Sequence, residues 1–207
     1  MNQKSWKKLF PFSKIESYNI TPSIINGENV NIRPKILSDG ESDYYWRSDP
    51  ELSNLDATTP ITLTLKEYLK YHESELKYPS NWSVRFGIET NEKIHIGNCM
   101  YYDIDFKKKS AELGIMIGNK KYWGKGYGSE AVKLTLIHIF SSTEINLVYL
   151  HTLKSNFRAQ KSFIKSGFIF KNFIRKNGYD FVRMEITKSS WENVKKPQNE
   201  TSSNYKK

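Results

Sequence analysis

The order of apolar and polar positions along the chain predicts a strand, a glycine-rich loop and a helix in direct succession near its middle. Residues 113–117 read Leu-Gly-Ile-Met-Ile, a short and nearly unbroken apolar run that is typical of a strand buried on both faces. Gly124, Gly126 and Gly128 follow within five positions. Good helix formers then run through residues 130–142 and begin with an acidic residue. We therefore predict a buried strand followed by a loop and a helix.

Alternation of apolar and polar residues predicts further strands on either side of this unit. Residues 82–89 and 93–105 alternate on the two sides of a polar turn, which predicts a hairpin. Residues 168–175 and 179–187 flank an Asn-Gly pair, a strong hairpin signal. An Asp-Pro pair within residues 47–51 predicts a turn. The remaining predicted strands are residues 30–34 and 147–152, and the remaining predicted helices are residues 38–46, 64–76 and 156–166.

The glycine-rich loop is the first candidate for a binding site. Glycine lets backbone N–H groups turn outward and approach a ligand closely, and the start of the following helix adds partial positive charge. This combination binds phosphate or pyrophosphate groups. The spacing of the glycines differs from that of a P-loop and from Gly-x-Gly-x-x-Gly, which excludes these two common nucleotide loops. On the residues alone, a tight turn without a ligand stays an open alternative.

The distribution of charge along the chain bears on whether nucleic acid is an expected partner. The formal charge is +10, but residues 1–14 carry four lysines and no acid, and residues 188–207 carry five lysines and two glutamates. The rest of the chain therefore carries only +3. We interpret the basic ends as solvated tails, which argues against nucleic acid as a partner. No stretch of the sequence approaches the apolar length of a membrane span, so no membrane partner is expected.

Cysteine and histidine usage points to a cytoplasmic protein without disulfides or metal. The single cysteine, Cys99, excludes a disulfide framework within the chain and fits a reducing compartment. The four histidines are scattered without metal-binding spacing. A length of 207 residues suggests one domain. We expect an N-terminal basic extension over residues 1–27, a domain over residues 28–191, and a polar basic tail over residues 192–207.

Two motifs resemble signatures of the GNAT N-acetyltransferase family. Residues 122–131 read Tyr-Trp-Gly-Lys-Gly-Tyr-Gly-Ser-Glu-Ala and resemble its acyl-CoA pyrophosphate loop, in which Gln/Arg-x-x-Gly-x-Gly/Ala follows the central strand. Trp123 stands at the Gln/Arg position, and Gly126 and Gly128 stand at the two small positions. Residues 156–168 resemble the second signature, Asn-x-x-Ala/Ser followed by a helix and Gly-Phe. The wording of the first motif is most similar to the RimJ/RimL-like branch, which acetylates protein N-termini and has many small-amine relatives.

The resemblance implies an α+β GNAT fold, in which a mixed central sheet of six to seven strands is flanked by helices. It also implies an enzyme that uses acetyl-CoA and no metal, in which a primary amine of a small molecule or of a protein N-terminus attacks the acetyl group directly. We expect a monomer or a homodimer. The residues implied to bind acetyl-CoA are Ile115, Met116, Ile117, Trp123, Gly124, Lys125, Gly126, Tyr127, Gly128, Ser129, Asn156 and Arg158. The residues implied to be catalytic are Glu112 and Asn156.

The chemistry requires a group that accepts a proton, because amines of the lysine type have a pKa of about 10.4 and attack only when deprotonated. Glu112, at the start of the central strand, is the carboxylate best placed for this in the sequence; a strand-edge glutamate facing solvent is the alternative. Asn156 resembles the family asparagine that contacts the cofactor near its thioester, and a plain helix cap is the alternative. The N–H groups of Met116 and Ile117 are candidates for polarising the thioester carbonyl.

The chain departs from the family at two positions. Many members place a tyrosine seven residues after the signature asparagine, where it protonates the departing thiolate, and this position is Phe163 here. Some members use a serine three residues after the asparagine, and this position is Ala159. The nearby Ser162 is expected to face elsewhere. A non-catalytic acyl-CoA-binding or regulatory domain is therefore the alternative function.

Acidic residues in and after the first predicted helix would suit a cationic acceptor, although solvation of the helix surface explains them equally well. These acids are Asp39, Glu41, Asp43, Asp49 and Glu51. The identity of the acceptor amine therefore stays open at this point.

Overall fold

The computed structural model describes residues 20–195 of the chain, and this part contains eight strands and six helices. The strands are β1 (Ile25–Asn26), β2 (Val30–Pro34), β3 (Ser83–Thr90), β4 (His95–Asp105), β5 (Ser110–Ile117), β6 (Leu147–Leu153), β7 (Ile169–Lys176) and β8 (Tyr179–Thr187). The helices are α1 (Asp39–Ser48), α2 (Pro50–Leu55), α3 (Leu65–Lys77), α4 (Tyr127–Ser142), α5 (Phe157–Lys165) and α6 (Lys188–Lys195). A single 3₁₀ turn, Lys120–Tyr122, lies between β5 and α4.

All eight strands form one mixed sheet in the order β1-β2-β3-β4-β5-β6-β8-β7. Each neighbouring pair is antiparallel except β5 and β6, which run parallel because α4 carries the chain back across the sheet. This architecture confirms the predicted α+β class and the mixed sheet. The sheet has one strand more than the six to seven that we expected, because the two-residue strand β1 pairs with β2.

Helix α4 packs against one face of the sheet and forms a core with it. Thr135 of α4 donates a hydrogen bond to Cys99 Sγ on β4 at 3.1 Å, and the Tyr101 hydroxyl of β4 lies 3.3 Å from His138 Nδ1. Burial raises the pKa of the Cys99 thiol to about 12, so Cys99 is an inert core residue. Burial also lowers the pKa of His138, which keeps its ring neutral at physiological pH.

Helix α1 packs against the opposite face, where buried charges join it to the sheet. Arg33 of β2 binds both carboxylate oxygens of Asp39 at 2.7 and 2.8 Å and also binds Glu89 at 2.6 Å. Lys35 Nζ lies 2.7 Å from Asp43. Burial opposes ionisation of Asp39, but Arg33 and Lys35 outweigh it and hold the pKa of Asp39 well below its usual range. Asp39 and Asp43 therefore serve the scaffold.

The segment predicted as a turn at residues 47–51 contains the start of helix α2. Asp49 caps this helix, because its carboxylate accepts hydrogen bonds from the N–H groups of Glu51 and Leu52 at 2.8 and 3.1 Å. Pro50 suits the first helical position, where no N–H partner is needed and its fixed φ is already helical. The Asp-Pro pair thus marks a helix start, and the prediction of a turn alone was wrong.

Residues near both ends of the described chain pack against the sheet and its helices. Ile20 contacts the core, and the backbone N–H of Asn29 donates to the Glu130 carboxylate of α4 at 2.9 Å. At the other end, the Trp191 ring of α6 lies 5.2 Å from the Phe140 ring of α4. The limits that we expected for the domain therefore fall inside packed structure. None of the helices in residues 20–195 has the length and apolar content that a bilayer crossing needs.

Candidate active site

Strands β5 and β6 pair over only three residues and then separate. Residues 110–112 of β5 pair with residues 147–149 of β6, whereas β5 stays paired with β4 as far as Ile117. The edge of β5 from residue 113 to residue 117 is therefore open on its β6 side. An open strand edge hydrogen-bonds an extended ligand as if the ligand were an additional strand.

A cavity of about 530 Å³ occupies the gap between these two strands. Its first end is lined by the glycine-rich loop and by residues of α4 and α5, on the sheet face that α4 covers. Its second end is lined by Leu52 and Leu55 of α2, by Asp56, and by Tyr102 of β4, on the face that α1 covers. The cavity thus passes between the strands and reaches both faces of the sheet.

The glycine-rich loop has the geometry of an anion site. Gly124 and Gly126 have φ angles of +74° and +93°, a left-handed conformation in which a side chain would be strained. No atom lies within 4 Å of the place that a Cβ would take at either glycine, so the space beside the loop is open. Gly126 is the N-cap of α4, whose first backbone N–H groups have no partner within the helix. The loop therefore fits a phosphate or pyrophosphate group.

Trp123 ties the glycine-rich loop to the end of β5. Its indole N–H donates to the Ile117 carbonyl oxygen at 2.6 Å. The guanidinium of Arg158, from α5, lies over the indole ring with Cζ 3.4 Å from the ring centroid. This stack places a positive charge beside the loop even though Trp123 itself carries none.

Helix α5 presents a basic stripe to the cavity. Arg158, Lys161 and Lys165 line the cavity and follow one another at helical spacing, so they share one face of α5. Arg158 was among the predicted residues, but Lys161 and Lys165 were not. Their three- and four-residue spacing was present in the sequence and would have identified them.

The cavity collects most of the residues that we predicted for the site. Those that line it are Ile115, Met116, Ile117, Trp123, Gly124, Gly126, Gly128, Ser129, Asn156 and Arg158. Lys125, Tyr127 and Glu112 do not line it. Lys125 Nζ lies 6.0 Å from the centroid of the Tyr122 ring, and the Tyr127 ring packs edge-on against the same tyrosine. Lys125 and Tyr127 therefore support the loop through Tyr122.

Glu112 does not line the cavity, but it is hydrogen-bonded to a histidine that does. Its Oε1 accepts a hydrogen bond from His151 Nδ1 at 2.8 Å, and His151 lines the cavity. Tyr102 lies directly opposite Glu112 on β4, and burial together with the Glu112 charge raises the pKa of Tyr102. Sequence patterns alone do not point to His151, because only the register of β5 and β6 brings it beside Glu112. Tyr149 is the residue that pairs with Glu112, and His151 follows it on the same face.

The first turns of α5 hold the residues at which the chain departs from the family signature. Asn156 caps the helix, since its Oδ1 accepts from the Ala159 N–H at 3.1 Å, and it also lines the cavity. Ser162 lines the cavity too, and its hydroxyl lies 2.9 Å from that of Ser129. The expectation that Ser162 faces elsewhere was wrong, because residue 162 lies one helical turn after Ala159 on the same face. Phe163 is buried in the core and borders the cavity.

The second end of the cavity is mostly apolar and contains one carboxylate. Leu52, Leu55 and Phe181 supply apolar surface there. Asp56 is the one acidic residue among the described residues that line the cavity. Desolvation by the surrounding protein raises the pKa of Asp56, with a smaller opposing effect from the positive charge of Arg47. The side chain is nevertheless accessible to solvent, and a ligand with a second positive charge would favour the ionised carboxylate at this apolar wall.

The five acids suggested for a cationic acceptor lie outside this cavity. Lys120 Nζ binds Asp49 and Glu51 at 2.8 and 2.6 Å, and its positive charge offsets part of their negative charge. Glu41 lies on the exposed surface of α1, and the remaining two acids belong to the scaffold. Asp56, a residue that the sequence patterns do not point to, is instead the acid that lines the cavity among the described residues. Among residues 20–195, no group of three or more His, Cys, Asp or Glu side chains is arranged to hold a metal ion.

Comparison with known proteins places the chain in a family. A family model described as the acetyltransferase (GNAT) domain matches residues 29–169. An uncharacterised N-acetyltransferase, p20 of Bacillus licheniformis, is 31% identical over 127 residues, which cover 58% of this chain and 68% of that protein. The spermidine N(1)-acetyltransferase of Vibrio cholerae is 28% identical over 115 residues, which cover 53% of this chain and 66% of that protein.

Solved structures show the same fold. The spermidine N-acetyltransferase of Vibrio cholerae, in complex with CoA and spermine, superposes with a TM-score of 0.70 at 21% identity, covering 79% of this chain and 98% of that one. An aminoglycoside acetyltransferase in complex with coenzyme A and kanamycin superposes with a TM-score of 0.66 at 20% identity, covering 81% and 99%. These neighbours confirm the predicted GNAT fold. The chain belongs to the GNAT acetyltransferase family and is an N-acetyltransferase of that family.

Proposed function

We propose that the protein transfers an acetyl group from acetyl-CoA to a primary amine by direct attack, with both substrates bound at once. The observation that carries this proposal is the cavity that passes between β5 and β6 and reaches both faces of the sheet. Two molecules that enter from opposite faces meet in the gap. Holding them there converts a bimolecular reaction into a reaction within one complex, which lowers its entropic barrier.

The first end of the cavity fits coenzyme A. The glycine-rich loop offers open space and unpaired N–H groups for the pyrophosphate, and Arg158, Lys161 and Lys165 offer positive charge for the phosphates. The open edge of β5 would bind the amide-containing pantetheine arm as a further strand. Acetyl-CoA supplies the activated thioester. Backbone N–H groups at Met116 and Ile117 are our candidates for stabilising the oxyanion that forms on its carbonyl.

The second end of the cavity fits a small amine that carries a second positive charge. Asp56 supplies a counter-charge, while Leu52, Leu55 and Phe181 supply apolar surface for a carbon chain. The relatives named above include acetyltransferases of spermidine and of aminoglycosides, both of which are cationic amines. We therefore favour a small polycationic amine over a protein N-terminus. Within the family, the wording of residues 122–131 supports the RimJ/RimL-like branch.

A kinetic assay with a panel of amines tests the function. We expect turnover of primary amines with acetyl-CoA, and initial-rate lines that intersect when both substrates are varied, because both must be bound before transfer. Parallel lines would show an acetylated enzyme intermediate and contradict direct attack. Binding of acetyl-CoA by calorimetry without turnover of any diamine, monoamine or peptide N-terminus would favour the alternative of a non-catalytic acyl-CoA-binding domain.

The substitution Asp56→Asn tests the acceptor class. An exposed ion pair is worth roughly 0.2–1 kcal/mol, so we expect KM for a diamine to rise by about 1.4- to fivefold while kcat stays near that of the unchanged protein. A monoamine of the same chain length is the matched control, and its KM should not change. An equal effect on the KM of both amines, or no effect on either, would show that Asp56 does not bind the second positive charge of the acceptor.

A further inference from the structure

We propose that His151 accepts the proton from the attacking amine and that Glu112 acts through His151 as a positioning residue. The juxtaposition behind this proposal is the Glu112–His151 hydrogen bond at the point where β5 and β6 separate, with only His151 lining the cavity. The proposal deepens the function proposed above and rests on it. It also differs from the simpler expectation that Glu112 itself takes the proton.

The register of the two strands brings these side chains together. Glu112 is the last residue of β5 that pairs with β6, and its partner there is Tyr149. His151 lies two positions beyond Tyr149, so it points to the same face of the sheet and is the next residue on that face where the gap begins. The imidazole therefore stands in the cavity wall at the end of the open edge of β5. This is the region where an amine and an acetyl group bound from opposite faces would meet.

The hydrogen bond fixes which ring nitrogen is free. An ionised carboxylate only accepts hydrogen bonds, so the bond from His151 Nδ1 to Glu112 Oε1 requires the proton to be on Nδ1. The neutral ring then keeps its lone pair on Nε2. Within residues 20–195, Nε2 has no hydrogen-bond partner in the protein. A histidine held in this way has an acceptor nitrogen available to a ligand in the cavity.

Glu112 is poorly placed to contact the amine itself. Its side chain is 13% exposed, compared with 24% for His151, and it does not line the cavity. Tyr102 covers it from β4 and His151 covers it from β6. The carboxylate is therefore suited to orienting the imidazole and to stabilising the imidazolium that forms when the ring takes a proton.

The proposed steps balance in atoms and charge. Nε2 of His151 takes one proton from the substrate ammonium group, which leaves a neutral amine and an imidazolium next to the Glu112 carboxylate. The amine nitrogen forms a bond to the acetyl carbon of acetyl-CoA, and the carbon–sulfur bond then breaks with its electron pair on sulfur. The nitrogen loses its second proton to the departing thiolate, which gives the amide and the free thiol. His151 finally releases its proton to solvent.

Other charged and titratable groups surround the Glu112–His151 pair, and their charges contribute to the pH dependence of the reaction. Arg183 of β8 lies opposite His151 in the sheet, and its guanidinium lies 4.0 Å from the centroid of the Tyr149 ring. Arg183 is itself bound to Glu185 at 2.8 Å. From β4, Tyr102 faces Glu112, and Asp103 and Asp105 act on Tyr149 through their charge. Asp56 shares the cavity wall with His151.

The variants His151→Gln and His151→Ala test the proton acceptor in the full-length protein. We expect kcat with the best amine of the panel to fall by roughly 10²- to 10⁴-fold, the usual contribution of a general base, while the affinity for acetyl-CoA measured by calorimetry stays unchanged. Added imidazole should restore part of the rate of His151→Ala. His72, a histidine outside the cavity, supplies the matched control, and imidazole should not change the rate of His72→Ala. A rate for His151→Gln within about threefold of the unchanged protein would overturn the proposal.

The variant Glu112→Gln tests the positioning role. The amide keeps the shape of the side chain but removes its charge, so we expect a lower kcat, an unchanged KM for acetyl-CoA and an altered pH profile of kcat/KM. Nitrogen NMR of the histidine ring supplies a readout that needs no turnover. We expect the proton on Nδ1 of His151 in the unchanged protein and a mixture of tautomers in Glu112→Gln.

These readouts separate the two proposals. Failure of the unchanged protein to acetylate any amine would refute the proposed function, whereas the NMR result decides the geometry of the pair in either case. A ring that carries its proton on Nε2 in the unchanged protein would overturn the proposal even if amines are acetylated. Should His151→Ala fail to fold, as judged by circular dichroism, His151→Gln and the NMR measurement still decide it.

Discussion

At the scale of single residues, the most informative position is Trp123. The family signature places a glutamine or arginine there, and the structure shows how a tryptophan fits in that place. Its N–H anchors the loop to the Ile117 carbonyl, and its ring supports the guanidinium of Arg158 from another helix. A cation is thus present beside the glycine-rich loop, although it comes from a different part of the sequence.

The substitution Trp123→Ala should weaken acetyl-CoA binding through Arg158. A cation–π contact is worth about 0.5–1 kcal/mol at exposed sites, so we expect the cost of Arg158→Ala to be smaller by about this amount when Trp123 has already been removed. Calorimetry on both single variants and the double variant measures this coupling. Trp123→Phe is the matched control, because it keeps a ring under Arg158 and removes only the N–H. Additive costs in the double variant would contradict a shared role.

At the scale of elements, local sequence predicted most strands and helices, whereas long-range register decided the strand β1 and the contact of Glu112 with His151. Alternation and turn residues were sufficient for the hairpins β3–β4 and β7–β8, because these depend on neighbouring residues. The strand β1 has only two residues and exists through its pairing with β2, so it leaves no pattern of its own. His151 likewise gains its partner Glu112 only through the parallel pairing of β5 with β6. The stripe on α5, by contrast, was readable from the sequence.

Two substitutions of Asn156 separate its role as the cap of α5 from its predicted contact with the cofactor. Asn156→Ala removes the hydrogen bond to the Ala159 N–H and should lower the free energy of unfolding by about 1 kcal/mol. Asn156→Asp keeps a good capping group, so its thermal stability should match that of the unchanged protein. A carboxylate offers no N–H donor, and we therefore expect Asn156→Asp to lower kcat/KM for acetyl-CoA. Unchanged kcat/KM in Asn156→Asp would show that Asn156 is only a cap.

At the scale of the whole molecule, the described ends and the cavity are separate features. All residues that line the cavity lie between Leu52 and Phe181, whereas Ile20 and Ile25 contribute to the core far from it in sequence. We propose that residues 20–195 contain the folding unit. The segments outside them carry +5 of the formal net charge of +10. The extension is then shorter than the residues 1–27 that we expected.

Two N-terminal truncations separate these possibilities. Removing residues 1–19 together with residues 196–207 should leave the affinity for acetyl-CoA unchanged, because no residue of the cavity is lost. Removing residues 1–27 should lower the free energy of unfolding by about 1–3 kcal/mol, because β1 and the partly buried Ile20 and Ile25 are lost. Denaturant unfolding and calorimetry measure both. Equal stability of the two truncated proteins would contradict a structural role for residues 20–27. Lost affinity in the first truncated protein would assign one of the two removed end segments to the site.

The short contact between β5 and β6 also affects how firmly the two halves of the sheet are held together. Within the described chain, three residue pairs join a five-stranded half-sheet, β1 to β5, to a three-stranded one, β6 to β8. Apart from the two-pair contact of the edge strand β1 with β2, this is the shortest strand pairing in the described sheet, and the gap begins where it ends. A molecule bound in the gap contacts both halves of the sheet. We therefore expect the two halves to move more freely relative to one another when the gap is empty. The substrates of this enzyme would thus complete the sheet that holds them.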